Sequence, residues 1–170
     1  MRQEMEYKKT VSNPFLIGAI EVMKAEPSPE HRKMVSDELV KAVYLCPVTV
    51  TPEPEKNADG KYELTKGTQV QFSMLTAPDG KHFFMAFSDM TEMKKWKDEE
   101  NLGYFAMTFD DYAGLLFRKD PNGNTSLASG FVLNPFGANV VVPKEMIAQY
   151  IAAKVDRQKA MQKTPPKSEA

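Results

Sequence analysis

Two histidines and one cysteine are the residues of this chain with the side chains most suited to catalysis or metal binding. A metal centre would need them near one another, or near carboxylates at ligand spacing, and His31, Cys46 and His82 have no such neighbours in the sequence. Cys46 stands in an apolar run, whereas a nucleophilic thiol needs a base that lowers its pKa. We therefore predict structural or surface histidines, a buried structural cysteine, no metal site and no cofactor.

Acidic pairs and glycines could support other chemistry, either general acid–base catalysis or phosphate binding. Asp110 and Asp111 follow Thr108 at the predicted start of a helix, where carboxylates cap free N–H groups and complement the helix dipole. Residues 98–100, Asp-Glu-Glu, are typical of a solvated charge run. The glycines lack the spacing of phosphate-binding loops, and Gly137 is predicted to be a turn residue with a positive φ angle. We therefore predict no catalytic residue, and an enzymatic activity is not expected.

The turn at residues 134–139, Asn-Pro-Phe-Gly-Ala-Asn, is the stretch most suited to recognition. A phenylalanine between a proline and a glycine is hard for its own turn to bury, and an exposed aromatic side chain on a rigid turn can anchor a partner. We predict a binding site formed by Asn134, Phe136 and Asn139. The alternative is that Phe136 folds back under the neighbouring helix and belongs to the core.

This turn separates two apolar runs against which we expect most of the chain to pack. Residues 131–133 and 140–142 are rich in valine and bounded by Asn, Pro and Gly, which is typical of strands buried on both faces. A helix follows, with an apolar stripe at Met146, Ile147, Tyr150 and Ile151.

The preceding segments alternate between strands and helices. The clearest unit is a hairpin, because residues 69–75 alternate in polarity, Pro-Asp-Gly at 78–80 favours a turn, and residues 82–87 return. A strand at residues 43–50 contains Pro47, which cannot donate to a ladder and indicates an edge strand or a bulge. The pattern predicts a single compact α+β (α/β-like) domain with a mixed sheet of about five to six strands packed with about five helices.

Helix starts are marked by capping residues. Asn13 is the predicted N-cap of the first helix, in which Phe15 belongs to the apolar stripe. Ser88 or Asp89 caps a helix that ends at Trp96, and we predict that this tryptophan is largely buried. Residues 1–12 are predicted to be a flexible N-terminus, residues 13–160 the folded domain and residues 161–170 a disordered tail.

The composition is that of an ordinary soluble protein, with 42% hydrophobic and 26% charged residues in a chain of 170. A net charge of -1 argues against nucleic-acid binding, which usually needs a basic surface. No apolar run approaches the roughly 20 residues that span a bilayer, and the N-terminus lacks the hydrophobic core of a signal peptide. We therefore expect a cytoplasmic protein that binds neither nucleic acid nor membrane.

Three features in a fixed order resemble a known family. They are an Asn-initiated helix before the Val-Tyr-Leu-Cys-Pro strand, a Phe-Phe-Met-Ala-Phe-Ser-Asp strand that leads to the helix with Trp96, and a Leu-Asn-Pro-Phe-Gly turn before Val-Val-Pro and a helix. Over residues 13–152 the chain resembles the SseB N-terminal domain family, bacterial proteins named after enhanced serine sensitivity. The family's motif commonly reads Phe-Thr-Ser where this chain has residues 87–89, Phe-Ser-Asp. The resemblance implies the fold and carries no enzymatic activity with it.

The function predicted from these observations is a non-enzymatic cytoplasmic binding or adaptor domain that recognises a protein or a small ligand. One alternative is an enzyme whose site assembles from scattered polar residues, which would show as a concave pocket with two or more titratable groups of shifted pKa. The other is a structural subunit that acts by self-association. The sequence leaves the oligomeric state unpredicted.

Overall fold

The computed structural model describes residues 6–163 of the chain. Within them, the helices are α1 (Pro14–Ala25), α2 (Pro29–Lys41), α3 (Met90–Trp96), α4 (Phe109–Phe117) and α5 (Lys144–Lys163). The strands are β1 (Glu6–Tyr7), β2 (Val43–Thr51), β3 (Glu55–Lys56), β4 (Tyr62–Glu63), β5 (Gln69–Phe72), β6 (Met74–Thr76), β7 (His82–Ala86), β8 (Tyr104–Thr108), β9 (Gly130–Leu133) and β10 (Val140–Pro143).

These strands form two four-stranded sheets and a separate hairpin of β3 and β4. The sheet orders are β1-β8-β2-β5 and β10-β9-β7-β6. β7 and β9 are parallel, whereas the other neighbours are antiparallel. The predicted α+β class, the mixed sheet and the five helices are confirmed. The strands outnumber the prediction because β1, β3 and β4 are only two residues long, too short to show a period, and because the predicted strand of residues 69–75 is divided into β5 and β6. They form two larger sheets where one was predicted.

The two sheets meet where β2 approaches β7. Leu45 and Phe87 exchange two backbone hydrogen bonds of 2.8 and 2.9 Å, which bridge the sheets. β5 pairs with β2 and β6 pairs with β7, and only Ser73 separates β5 from β6. The predicted hairpin of residues 69–87 is therefore present, and its first strand belongs to both sheets.

Alternation along β2 sends side chains to two cores. Even-numbered residues such as Tyr44 and Cys46 join the larger core, to which α1, α2, α4 and α5 contribute. Leu45, on the opposite face, joins a smaller cluster with Met93 of α3. Because both faces of the β2–β7 region are covered, its residues 44–48 and 84–88 are buried.

Pro47 lies in a central strand, so the predicted edge position is wrong. β2 has β8 on one side and both β7 and β5 on the other. The carbonyl of Pro47 accepts a hydrogen bond of 3.1 Å from the Ser73 N–H. Pro47 lies at the point where β2 leaves β7 and begins to pair with β5. Because proline has no N–H, one ladder hydrogen bond is lost at this position.

Two other expectations about burial need correction. Phe15 is 80% exposed, because Leu16, Ala19 and Ile20 already fill the buried stripe of α1. Trp96 is largely covered, as predicted, and packs against the smaller cluster; its ring stacks on Phe87 with centroids 6.2 Å apart. β9 is buried along its length as predicted, whereas β10 is an edge strand in which Val141 is half exposed.

Both ends of the described chain have regular secondary structure. Glu6 and Tyr7 pair with β8 although residues 1–12 were expected to be flexible; residues 1–5 lie outside the description. α5 continues to Lys163, so residues 161–163 of the predicted tail are helical, and residues 164–170 lie outside the description. Among the residues the structure describes, no helix has the length and apolar character needed to cross a membrane.

Candidate functional site

Asn134 directly follows β9 and fixes the start of the 134–139 turn. Its backbone is in the left-handed region (φ 48°), which asparagine tolerates better than most residues, and its side chain is buried. The side-chain Oδ1 accepts a hydrogen bond of 2.9 Å from the Ser88 N–H, and Nδ2 donates one of 2.9 Å to Ser88 Oγ. The side chain proposed for recognition is therefore engaged inside the domain, where it holds the turn.

The backbone of Asn134 closes the turn as well. Its N–H donates to the Ala86 carbonyl of β7 at 2.8 Å, and its carbonyl accepts from the N–H groups of Gly137 at 2.9 Å and Asn139 at 2.8 Å. With the two side-chain bonds, one residue ties the turn to the ends of β7 and β9. The turn is therefore a rigid extension of the parallel strand pair.

Phe136 lies at the tip of this turn and is 50% exposed. Of the two predicted arrangements, the structure thus has the exposed one, and the ring does not fold under a helix into the core. Asn139 is also exposed and in the left-handed region (φ 53°). Within residues 6–163 its side-chain amide has no hydrogen bond, so Phe136 and Asn139 present an aromatic ring and a free amide on one turn.

Gly137 packs against Glu92 of α3. A Cβ atom at this position would lie 2.6 Å from Glu92 Oε2, so a larger residue would require the Glu92 carboxylate to shift. Its φ angle is not positive, so the predicted positive φ is wrong. Glu92 Oε1 accepts a hydrogen bond from Lys95, whereas the buried Oε2 has no partner among the described residues.

The start of α1 reaches the same place. Asn13 was predicted to cap α1, but its side chain makes no capping bond. Instead, Nδ2 donates to the carbonyls of Val43 and Ser88 at 2.8 Å each. Asn134 is bonded to the same Ser88. Asn13 and Asn134 are therefore joined through Ser88, and the exposed Phe15 follows two residues after Asn13.

The end of α1 also contacts the turn, where Lys24 Nζ donates to the Ala138 carbonyl at 3.0 Å. Sequence reasoning missed the bonds that join Ser88 to Asn13 and Asn134, the contact of Lys24 and the exposure of Phe15. Ser88 could have been suspected, because a small polar residue directly after a buried strand needs partners for its own backbone. The lysine contact has no signal in the sequence.

The histidines and the cysteine lie apart from this turn. His31 Nδ1 is hydrogen-bonded to the Glu26 carbonyl, and His82 Nδ1 lies 3.0 Å from Thr76 Oγ1. Cys46 is fully buried, and burial raises the pKa of its thiol to about 12. No three of the His, Cys, Asp and Glu side chains in the described residues come together in a way that could hold a metal ion.

The acidic pair acts as predicted at the start of α4. Thr108 Oγ1 accepts a hydrogen bond from the Asp111 N–H at 3.2 Å, and Asp111 Oδ2 accepts one from the Thr108 N–H at 2.9 Å. Asp110 binds Lys154 Nζ of α5 at 2.8 Å. These carboxylates are used in capping and in a surface ion pair.

Two cavities of the described residues are lined by none of residues 134–139. One, of about 280 Å³, lies beside the β3–β4 hairpin and is lined by residues between Pro52 and Thr68. The other is an open depression between Leu115 and Ser126. None of the groups whose pKa is shifted, such as Tyr44, Cys46 and Tyr112, lines either cavity.

Comparison with known proteins gives one match. A family model described as the SseB protein N-terminal domain matches residues 16–149. No curated protein and no solved structure matches the chain.

Proposed function

The chain belongs to the SseB N-terminal domain family, and from that premise and the geometry of the turn we propose that it is a non-enzymatic binding domain that recognises another protein through Phe136. The observation that carries this proposal is the ring of Phe136, 50% exposed at the tip of a turn that Asn134 holds with five hydrogen bonds. Buried aromatic anchors commonly supply most of the binding energy at protein interfaces.

Rigidity is what makes this turn suitable as a binding surface. A flexible loop would lose conformational freedom on binding, at about 0.5–1.5 kcal/mol for each side chain that becomes immobilised. Here the backbone is already fixed by the bonds to β7 and by the close contact between Gly137 and Glu92. Most of the ordering therefore takes place during folding, before a partner arrives.

Phe15 enlarges the proposed surface. It is 80% exposed, and the adjacent helix start is tied to Ser88, the residue to which Asn134 is also bonded. Both exposed phenylalanines lie two residues from an asparagine bonded to Ser88, and together they offer more apolar area than a single surface residue does. Asn139 would add a hydrogen bond at the rim, because its amide is unused within residues 6–163.

A protein fits this surface better than a small molecule does. Small ligands usually bind in cavities that enclose most of their surface, whereas Phe136 projects from the tip of a turn. An enzyme is the less favoured alternative, since neither cavity described above contains a group of shifted pKa. The proposal therefore places recognition on a convex apolar surface.

The test compares Phe136→Ala with Leu127→Ala in affinity capture. Leu127 is 89% exposed on a different loop, so its truncation removes exposed apolar area elsewhere. Partners captured from native lysate by the unmodified domain are identified by mass spectrometry, and their binding is then measured with purified components. Phe136→Ala should weaken binding at least about tenfold, a loss of about 1.4 kcal/mol, while the melting temperature changes by only a few degrees.

Three results would contradict the proposal. If Phe136→Ala unfolds the domain, the ring belongs to the core and its exposure has no functional meaning. If the partners bind Phe136→Ala as tightly as the unmodified chain, the binding surface lies elsewhere. A loss of affinity with Leu127→Ala of equal size would show that the assay reports general surface apolarity.

A further inference from the structure

The strands β5 and β6 together form the outermost strand of both sheets. β5 is the last strand of the first sheet and β6 the last strand of the second, with only Ser73 between them. One edge of residues 69–76 pairs with β2 and then with β7. Along the other edge, no strand of the described chain is paired.

The hydrogen-bond pattern shows which backbone groups occupy that open edge. The Ser73 N–H donates to the Pro47 carbonyl, and the Ala77 N–H donates to the Lys81 carbonyl. Because N–H groups alternate in direction along a strand, the odd-numbered residues from 69 to 77 point towards β2 and β7. The outward-pointing N–H and carbonyl groups belong to Val70, Phe72, Met74 and Thr76, and no backbone partner of theirs lies among residues 6–163.

This edge lacks the features that usually prevent strand pairing. Natural edges are protected by charged residues, by proline or by being very short. β10, at the far end of the second sheet, ends at Pro143 and leads directly into a helix. β1 has two residues, and the ring of Tyr62 packs against its Tyr7 at 5.0 Å. Residues 69–76, Gln-Val-Gln-Phe-Ser-Met-Leu-Thr, contain no charge, no proline and no glycine.

We propose that this edge joins two copies of the chain into a dimer. Residues 69–76 of each copy pair antiparallel with the same residues of the other, about a two-fold axis at Ser73. In this register, Phe72 of each copy lies opposite Met74 of the other, and Val70 of each copy lies opposite Thr76 of the other. All of these residues point their polar backbone groups outward, so about eight backbone hydrogen bonds form between the copies.

A second copy suits this edge for two reasons. The uncharged segment does not repel itself, whereas like charges directly opposite would be destabilising. Met74 is a large apolar side chain that is 47% exposed in the single chain, and the register covers it with Phe72 of the second copy. The dimer surface lies at the opposite end of the second sheet from the turn at residues 134–139, so it is independent of the proposed function.

Disulfide trapping tests the register directly. Ser73 points its backbone groups inward, so the two Ser73 residues form a non-hydrogen-bonded pair with Cα atoms about 4.5 Å apart, within the range of disulfides. Ser73→Cys should form a covalent dimer under mild oxidation. Thr76→Cys is the control, because residue 76 faces Val70 of the second copy. The native Cys46 is fully buried and does not compete.

Sedimentation velocity over a range of concentrations gives a second, independent readout. The unmodified chain should sediment as a dimer, and Met74→Lys should raise the dissociation constant at least about tenfold. Val141→Lys is the matched control, because Val141 is 50% exposed on the edge strand β10.

Three outcomes would overturn the proposal. The first is that the chain is a monomer at every concentration and Ser73→Cys does not cross-link. This result excludes the dimer even if an extended peptide of another protein binds the edge. The second is equal weakening by Met74→Lys and Val141→Lys. The third is cross-linking of Thr76→Cys that equals or exceeds that of Ser73→Cys, which would exclude the register.

Discussion

Replacing Asn134 should destabilise the domain more than its position in a surface turn would suggest. In Asn134→Ala the buried N–H of Ser88 loses its acceptor, which costs about 1–3 kcal/mol, and the bond to Ser88 Oγ is also lost. Alanine in the left-handed region at φ 48° adds about 1–2 kcal/mol. We therefore expect a loss of about 3–5 kcal/mol in the free energy of unfolding.

Asn134→Gly separates the two causes, because glycine adopts the left-handed region freely and yet lacks the amide. The free energy of unfolding of this variant should fall by about 2–3 kcal/mol. The alanine variant should lose more, and the difference is the cost of its strained backbone. Asn139→Gly is the matched control, with a similar φ of 53° but an exposed side chain, and its stability should change little.

Urea unfolding followed by the fluorescence of the single tryptophan, Trp96, measures all three variants. A loss below about 1 kcal/mol for Asn134→Gly would refute the reasoning, since the side-chain bonds to Ser88 would then contribute almost nothing.

Two further predictions concern Trp96 and Cys46. Trp96→Ala should lose about 2 kcal/mol in the free energy of unfolding, measured in urea by circular dichroism, because Trp96 is partly exposed at the end of α3 and full burial would give about 3–5 kcal/mol. A loss in that higher range would show that the ring is core. For Cys46, labelling of the folded protein by a thiol reagent at neutral pH should be slow, and fast labelling would contradict the complete burial of the thiol. Burial raises the pKa of this thiol from 9.0 to about 12, so the unfolded chain loses the proton first. Stability from this group is therefore full below pH 9 and falls as the pH rises towards 12, and Cys46→Ala should show a shallower decline in alkaline urea titrations.

Local features of the fold were predictable because their causes lie within a few residues. The β6–β7 hairpin follows from alternation and from a Pro-Asp-Gly turn, and the capping box of α4 needs only Thr108 and Asp111. The exposure of Phe136 was one of two open alternatives. Its context, an aromatic residue between proline and glycine, indicated the turn but could not show what packs beneath it.

Features that depend on distant partners were not predictable in the same way. The position of Pro47 in a central strand depends on where β7 gives way to β5. The role of Asn134 depends on Ser88, and that of Gly137 on Glu92 in another helix. In each case the residue type indicated an unusual position in a strand or turn. The contacts that the residue makes there depend on a neighbour distant in the sequence.

The bond between Ser88 and Asn134 also has a consequence for the order of folding. It joins residues 46 positions apart, across the whole of α3, β8 and α4, and it accompanies the parallel pairing of β7 with β9. Contacts of this range form after local ones, because a long loop must be closed first. The β6–β7 hairpin can thus exist in a nascent chain before the turn at residues 134–139 has its shape. A partner that binds the ring of Phe136 would therefore recognise only completed domains and leave unfinished chains alone.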